Sequence, residues 1–206
     1  MEVRVFSRAH FEAILRRILR YNICMLYTRK GDSGTTKTFG CDQSISKSSA
    51  VTEALGALDE VNSFLGVVKV NESAKRFRVG QAFFAEIIHQ VQEDLFIIQA
   101  EIAGADKIIG KSQLSRIEKV VDDIEKALPP IKTFFISGGT ELAATLDFAR
   151  TLARRAERRV VKVSEEGLVK VGQPALAYLN RLSSLLYALA RLSNHLSGIN
   201  EQSPRY

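Results

Sequence analysis

The sequence predicts an all-α protein, a bundle of five helices, from two observations. Apolar residues recur every three or four positions through five separate segments, which is the period of a helix with one buried face. No stretch shows sustained alternation of apolar and polar residues, so neither a large sheet nor a dinucleotide-binding βαβ unit is expected. Five helices of three to six turns pack most simply as a bundle.

Long apolar stripes predict the first two helices. One stripe consists of Ala54, Leu58, Val61, Leu65 and Val68. The other consists of Phe84, Ile88, Val91, Leu95, Ile98 and Ile102. Both stripes are expected to face the core.

Start and stop residues bound the remaining three helices. Ser112 is the expected N-cap of the third helix, and the double proline at 129–130 ends it. The fourth helix is expected over about residues 140–164. The fifth begins after Pro174 and closes at Gly198, with a leucine-rich stripe between them.

Composition indicates one ordinary soluble domain with a sizeable core. The chain has 206 residues, of which 46% are hydrophobic and 25% charged, and no apolar run approaches a membrane span. The net charge of +6 favours an anionic partner without identifying it. Cys24 and Cys41 form neither a disulfide framework nor a metal-binding spacing, and the histidines are unclustered. We expect a reducing, cytoplasmic location and no metal site built from side chains.

The first 24 residues are basic and amphipathic, unlike the rest of the chain. They lack the continuous apolar core and cleavage site of a secretory signal. The segment is interpreted as an arm, or as a consequence of start-codon choice upstream of Met25, and a mitochondrial location is the alternative if it acts in targeting. The expected division is an extension at 1–24, a helical-bundle domain at 25–198 and a C-terminal tail at 199–206.

Five arginines and one glutamate lie within residues 150–159 of the predicted fourth helix. At about 100° per residue, Arg150, Arg154, Glu157 and Arg158 fall on one strip beside an apolar stripe. Arginine forks bind phosphate oxygens bidentately, and Glu157 is spaced to hold Arg154 in a fixed rotamer. One interpretation is a polyphosphate site, and the other is a solvated helix face with local ion pairs.

A polar loop rich in turn-forming residues spans residues 27–38. Gly31 and Gly34 permit backbone conformations in which successive N–H groups converge on an anion, while Lys30 and Lys37 add positive charge. The spacing is not that of the P-loop motif. The loop is therefore either a phosphate-wrapping segment or an ordinary surface loop.

Three other features interrupt the apolar patterns. Asp59 is expected at the edge of the core, where an arginine of the fourth helix is an available partner. Asn180 is interpreted as a ligand for a ribose hydroxyl or purine edge, or as a cap for local backbone. Phe134 and Phe135 precede a double glycine. One ring is expected to pack into the core and the other to cover a flat ligand, unless both simply anchor the loop.

Five segments resemble, in the same order, the PduO-type ATP:cob(I)alamin adenosyltransferases. They are YTRKGDSGTT at 27–36, ALDEVNSFLG at 57–66, FFISGG at 134–139, RRAERRVV at 154–161 and YLNRLSS at 178–184. The resemblance implies a ferritin-like five-helix bundle that forms a homotrimer, with ATP between subunits. It also implies adenosyl transfer from ATP to cob(I)alamin with release of triphosphate, Mg²⁺ acting at the phosphates, and a cobalamin reductase and an adenosylcobalamin-dependent acceptor enzyme as partners. Neither nucleic acid nor a membrane is expected as a partner.

The resemblance assigns the arginine segment to triphosphate. Arg154 and Arg158 would grip the triphosphate and stabilise its leaving charge, with Arg155 and Glu157 in the same patch. The other implied ATP contacts are Thr28, Arg29, Lys30, Gly31, Asp32, Gly34, Thr36, Lys37, Lys47 and Asn180.

The resemblance also implies residues that act on the corrin side. Arg150 would pair with Asp59 and hold the geometry there. Phe134 would cover the lower corrin face and displace the axial ligand of cobalt, with Phe135 as the alternative one position later.

Two other functions stay open on the sequence. A basic helical bundle is a candidate nucleic-acid-binding module, with residues 150–159 on the phosphate backbone. A protein that binds ATP and cobalamin as a regulator or chaperone, with little or no turnover, would carry nearly the same residues.

Overall fold

The computed structural model describes Tyr27 and residues 29–39 and 44–205. Contacts along the chain divide it into two units, Met1–Thr35 and Thr36–Tyr206. The extension expected at 1–24 and the expected ATP contact Thr28 lie outside the described residues.

Five helices dominate the described part of the second unit, which confirms the predicted all-α fold. They are α1 (Ala50–Val70), α2 (Phe84–Ile102), α3 (Lys111–Ala127), α4 (Glu141–Glu165) and α5 (Gln173–Leu196). The described strands have two residues each: β1 (Thr35–Thr36), β2 (Ile45–Ser46), β3 (Arg78–Val79) and β4 (Ala82–Phe83). β3 and β4 pair antiparallel, with Arg78 opposite Phe83 and Val79 opposite Ala82, and form a small hairpin before α2.

Helix α4 packs between α1 and α5, while α2 packs on α1 and α3 packs on α5. Every residue of the two apolar stripes predicted for α1 and α2 is buried, at 3% exposure or less. Truncating one fully buried leucine such as Leu58 or Leu95 to alanine costs about 2–5 kcal/mol. The packing of α4 against α1 and α5 is what places its polar strip at the surface.

The ends of the helices follow the predictions except at the starts of α3 and α5. Helix α5 begins at Gln173, so Pro174 lies in its first turn and does not precede it. Gly110, not Ser112, is the N-cap of α3, because the side chain of Gln113 reaches back to accept from the Gly110 N–H at 3.1 Å. Ser112 therefore lies inside the first turn. Thr140 caps α4 by accepting from Ala143 N at 3.0 Å. Gly198, at φ 69°, takes the left-handed conformation that follows the end of α5.

A buried carboxylate joins α2, α3 and α5. Asp94 is 2% exposed, and Arg116 Nη2 donates to its two carboxylate oxygens at 2.9 and 2.8 Å. The hydroxyl of Tyr178 donates to the same group at 2.8 Å. Burial, and next the negative charge of Asp94, raise the pKa of Tyr178 far above its ordinary value. This network fixes the N-terminal half of α5.

In the part of the chain that the structure describes, no helix has the length and apolarity that a membrane span requires.

Candidate functional site

Two arginines of α4 are held by carboxylates of α1. Arg155 forms an ion pair with Glu60, and Arg159 forms one with Glu53 at 3.1 Å. These contacts direct both guanidinium groups toward α1. Arg155, expected in the triphosphate patch, is therefore tied to the neighbouring helix instead of standing free.

Arg150 is also paired, but its partner is not the one expected. Its Nε donates to Asp147 Oδ1 at 3.1 Å, one turn earlier on α4. Asp59 is exposed on α1 instead of lying at the core edge, and within the described residues its side chain forms no ion pair or hydrogen bond. Within one chain, Arg150 therefore pairs with Asp147 and not with Asp59.

Arg154 and Arg158 differ from the other three arginines. Both are exposed, and neither forms an ion pair with an acid among residues 29–39 and 44–205. Arg158 Nη1 donates only to the carbonyl oxygen of Arg154, at 3.1 Å. Two guanidinium groups one helical turn apart are therefore available to an anion, and their planar forks suit phosphate oxygens.

The strip continues onto α5 through Glu157. Its carboxylate accepts from Asn180 Nδ2 at 3.1 Å, so it orients this amide and does not hold Arg154. Arg181 Nη1 donates to Asn180 Oδ1 at 2.8 Å, and Arg181 Nε donates to Glu118 at 3.1 Å. Asn180 is thus held from both ends of its amide beside the arginines. Arg181 is not among the site residues expected from the sequence, although it lies within the YLNRLSS segment at 178–184.

An apolar groove between α1 and α4 borders Arg158. Phe64 and Phe148 meet edge to face, with ring centres 5.0 Å apart. Val67 and Phe148 are each 54% exposed, and Leu152 also lines the groove. Exposed aromatic and aliphatic surface of this kind is typical of a contact with another macromolecule.

The two phenylalanines of the α3–α4 connection have different surroundings. The side chain of Phe134 is 78% exposed. Phe135 is half-buried, with its ring centre 5.0 Å from the guanidinium carbon of Arg191. Phe135 therefore packs on a cation and not in the apolar core, and Phe134 is the ring left available.

A buried asparagine fixes the double glycine behind these rings. Asn194 Oδ1 accepts from Thr140 N at 3.0 Å, and Asn194 Nδ2 donates to Gly138 O at 2.9 Å. Gly139 has φ 95°, and a Cβ at that position would lie 2.4 Å from Asn194 Oδ1. The turn therefore requires glycine at 139. Thr140 and Asn194 are 54 residues apart, so no local sequence pattern indicates this contact.

The polar glycine loop at residues 27–38 forms successive turns in the part that belongs to the first unit. Asp32 N donates to Arg29 O at 3.3 Å, and Gly34 N donates to Gly31 O at 3.2 Å. Arg29 and Gly34 both have positive φ, at 60° and 79°. The loop is compact and polar.

Thr36 and Lys37, at the end of the loop, and Lys47, beyond it, belong to the second unit. The side chains of Lys37 and Lys47 are exposed. Across the described residues, no three His, Cys, Asp or Glu side chains are grouped as a metal site would require.

The chain is similar in sequence to cobalamin adenosyltransferases. The model of the cobalamin adenosyltransferase family matches residues 26–193. The corrinoid adenosyltransferases PduO of Citrobacter freundii and Salmonella typhimurium are 37% and 36% identical over 82% and 88% of this chain. The chain spans about half the length of these two relatives, 50% and 54%. The corrinoid adenosyltransferase of Bacillus subtilis is 35% identical over 85% of this chain and 90% of its own length.

Solved structures of the PduO-type ATP:corrinoid adenosyltransferase of Lactobacillus reuteri have the same fold. A phenylalanine-to-histidine variant in complex with cobalamin and ATP superposes with a TM-score of 0.78 at 29% identity, covering 87% of this chain and 96% of that one. An arginine-to-lysine variant in complex with ATP gives a TM-score of 0.76 at 28% identity, with 87% and 100% covered.

Proposed function

Because the chain belongs to the cobalamin adenosyltransferase family, we propose that it transfers the 5′-deoxyadenosyl group of ATP to the cobalt of cob(I)alamin. The products are adenosylcobalamin and triphosphate. The observation that carries the proposal is the sorting of the α4 arginines. Three of them are held by carboxylates, whereas Arg154 and Arg158 are exposed, one turn apart and without an acidic partner in the described residues.

The chemistry suits a site that lacks a protein nucleophile. Cobalt(I) donates an electron pair to C5′ of ATP, the C5′–oxygen bond breaks, and triphosphate leaves with that bond's electrons. No proton has to be removed, so no serine, cysteine or histidine base is needed. The protein must orient two substrates and stabilise the charge on the departing triphosphate. Arg154 and Arg158 do the second task, and Asn180 holds the nucleoside.

ATP is proposed to lie at a subunit interface in a homotrimer. The apolar groove beside Arg158 supports an interface there, because a second subunit would bury Val67 and Phe148. The glycine loop of that second subunit would supply backbone N–H groups, with Lys30, Lys37 and Lys47 adding charge. Mg²⁺ would bind through the phosphate oxygens. Asp59, which has no partner within its own described chain, is left for a contact in the assembled site.

Phe134 is proposed to cover the lower corrin face. The phenylalanine and arginine substituted in the Lactobacillus reuteri variants are twenty positions apart. Between the phenylalanine loop and the α4 arginines, two pairs have that spacing, Phe134 with Arg154 and Phe135 with Arg155. Exposure favours the first pair, since Phe135 is half-buried beside Arg191 and Arg155 is bound to Glu60. An apolar ring on that face would favour loss of the axial cobalt ligand and so ease reduction from cob(II)alamin.

The remaining proposals concern context. Residues 25–198 form the catalytic domain, a cobalamin reductase supplies the electron, and an adenosylcobalamin-dependent enzyme receives the product. A cytoplasmic location suits a reductase-coupled enzyme, and a mitochondrial one would follow if residues 1–24 act in targeting.

Anaerobic incubation with ATP, Mg²⁺ and chemically reduced cobalamin tests the activity. We expect the visible spectrum of cob(I)alamin to convert to that of adenosylcobalamin, with one triphosphate released per cobalt. A folded protein that binds ATP yet leaves the cob(I)alamin spectrum unchanged would refute the enzyme and leave a binding protein. Saturable binding to RNA in the absence of ATP would favour the nucleic-acid alternative.

A further inference from the structure

We infer that the ion pair between Arg191 and Glu201 positions Phe134, so that residues after α5 control removal of the axial cobalt ligand. The inference rests on the proposed function. It assigns a role in the reaction to two residues that lie outside all five segments of the family resemblance. It also gives a purpose to a segment that the sequence describes only as a tail.

Arg191 is a buried cation that contacts three parts of the chain. It is 7% exposed, and its Nε donates to Glu201 Oε2 at 2.9 Å. Its Nη2 donates to the carbonyl oxygen of Pro129, just beyond α3, at 3.3 Å. Its guanidinium carbon lies over the ring of Phe135, 5.0 Å from the ring centre. One side chain thus joins the end of α3, the phenylalanine loop and the segment after α5.

A backbone contact adds a second connection to the same segment. Ile136 N donates to Gln202 O at 2.8 Å. Residues 135 and 136 are therefore both held, one by Arg191 and the other by the neighbour of Glu201 in sequence. Phe134 immediately precedes them and projects with 78% of its side chain exposed.

This arrangement sets the direction of Phe134 without burying it. An exposed phenylalanine next to an apolar loop gains free energy by folding back onto that loop. The guanidinium group of Arg191 lies beside Phe135, and its bonds to Glu201 and to the carbonyl oxygen of Pro129 hold it there. A buried ion pair contributes little net stability, since apolar residues of similar volume often stabilise the fold equally well. Its directional contacts are what a positioning role needs.

The test compares Glu201→Gln and Arg191→Lys with Glu72→Gln. Glu72 also forms an ion pair, with Lys75 at 2.6 Å, but lies in the exposed turn after α1. With cob(II)alamin and a reducing system, Glu201→Gln and Arg191→Lys are expected to be slower than the parent on the order of tenfold. With chemically prepared cob(I)alamin, which has already lost its axial ligand, the rates should stay within about twofold of the parent. ATP affinity should be unchanged in all three variants.

Equal losses with cob(II)alamin and cob(I)alamin would overturn the inference, because a merely structural defect slows both. The double variant provides a second check. If Arg191 and Glu201 act through one contact, the loss in Arg191→Lys/Glu201→Gln will be smaller than the product of the two single losses. Multiplicative losses would mean that the two residues act separately.

A readout that is independent of turnover separates this inference from the proposed function. The chain contains no tryptophan, so Phe134→Trp introduces one tryptophan at the relevant position, which can be excited selectively over the tyrosines. Adding Glu201→Gln to Phe134→Trp should lower the fluorescence anisotropy, whereas adding Glu72→Gln should not. If the parent protein forms no adenosylcobalamin, the proposed function fails and the anisotropy still reports on the ion pair. If the parent is active and the anisotropy does not change, the positioning role fails alone.

Discussion

Arg154→Ala is expected to slow formation of adenosylcobalamin roughly 10- to 100-fold. Each charge-assisted hydrogen bond contributes about 1.5–3 kcal/mol. A guanidinium fork makes two such bonds to phosphate oxygens, but Arg154 is exposed, and solvent screening reduces their value. A net loss of about 1.4–2.7 kcal/mol corresponds to that range at 1.36 kcal/mol per tenfold.

Arg159→Ala is the matched control. It removes the same side chain from the same helix, but one that Glu53 already holds at 3.1 Å. An exposed ion pair of this kind contributes about 0–1 kcal/mol to stability, so the change should leave turnover nearly unaffected. Arg154→Lys keeps the positive charge without the fork and should fall between the parent and Arg154→Ala.

The assay measures initial rates of adenosylcobalamin formation from chemically reduced cobalamin, first at saturating ATP and then across an ATP titration. A loss in the rate at saturating ATP places the interaction of Arg154 in the transition state, and a loss confined to the apparent ATP affinity places it in the ground state. Equal losses in Arg154→Ala and Arg159→Ala would refute the assignment, because the distinction between paired and unpaired arginines would then have no functional meaning.

Three further changes have defined expected outcomes. Phe134→Ala should slow adenosylation from enzymatically reduced cob(II)alamin more than it weakens ATP binding, and equal effects on both would reject the role in displacing the axial ligand. Gly139→Ala should lower the free energy of unfolding by about 1–3 kcal/mol in urea titrations, since the added Cβ at positive φ meets Asn194. An unchanged midpoint would contradict that strain. Stability should fall as pH rises above about 10, because the unfolded chain releases the Tyr178 proton while the raised pKa in the folded state retains it. Tyr178→Phe should flatten that alkaline slope while losing the donor to Asp94, and a slope unchanged by the substitution would assign it to other groups.

Helical periodicity was sufficient to predict the fold. Helices α1 and α2 each bury one face, and a helix with one buried face has an apolar repeat that is visible within a short stretch of sequence. Ser112 shows the limit of that approach. Serine is a good N-cap by residue type, but Gln113 reaches back to the backbone N–H of Gly110 and moves the start of α3 earlier.

Partner choice within the candidate site could not be predicted in the same way. Arg150 and Asp59 lie far apart in sequence, and the pattern shows only that an acid and an arginine occupy neighbouring helices. The structure gives Arg150 a carboxylate one turn away, and it pairs Glu60 and Glu53 of α1 with Arg155 and Arg159. The ion pair between Arg191 and Glu201 was missed for another reason. A polar residue on α5 and a glutamate beyond its end carry no signal until the helix end is placed beside the phenylalanine loop.

The carboxylates that hold three of the α4 arginines also bear on which anions the protein retains. A helix face with five unpaired guanidinium groups would bind any long polyanion, and a nucleic acid would gain affinity from every one of them. Asp147, Glu60 and Glu53 pair with three of the five arginines, which are then less available to a polyanion. A short polyphosphate needs only Arg154 and Arg158. The three acids therefore lower the affinity for a nucleic-acid strand without weakening the binding of a compact ligand. Neutralising Glu53 or Glu60 would raise the affinity of this surface for RNA without raising its affinity for a nucleotide.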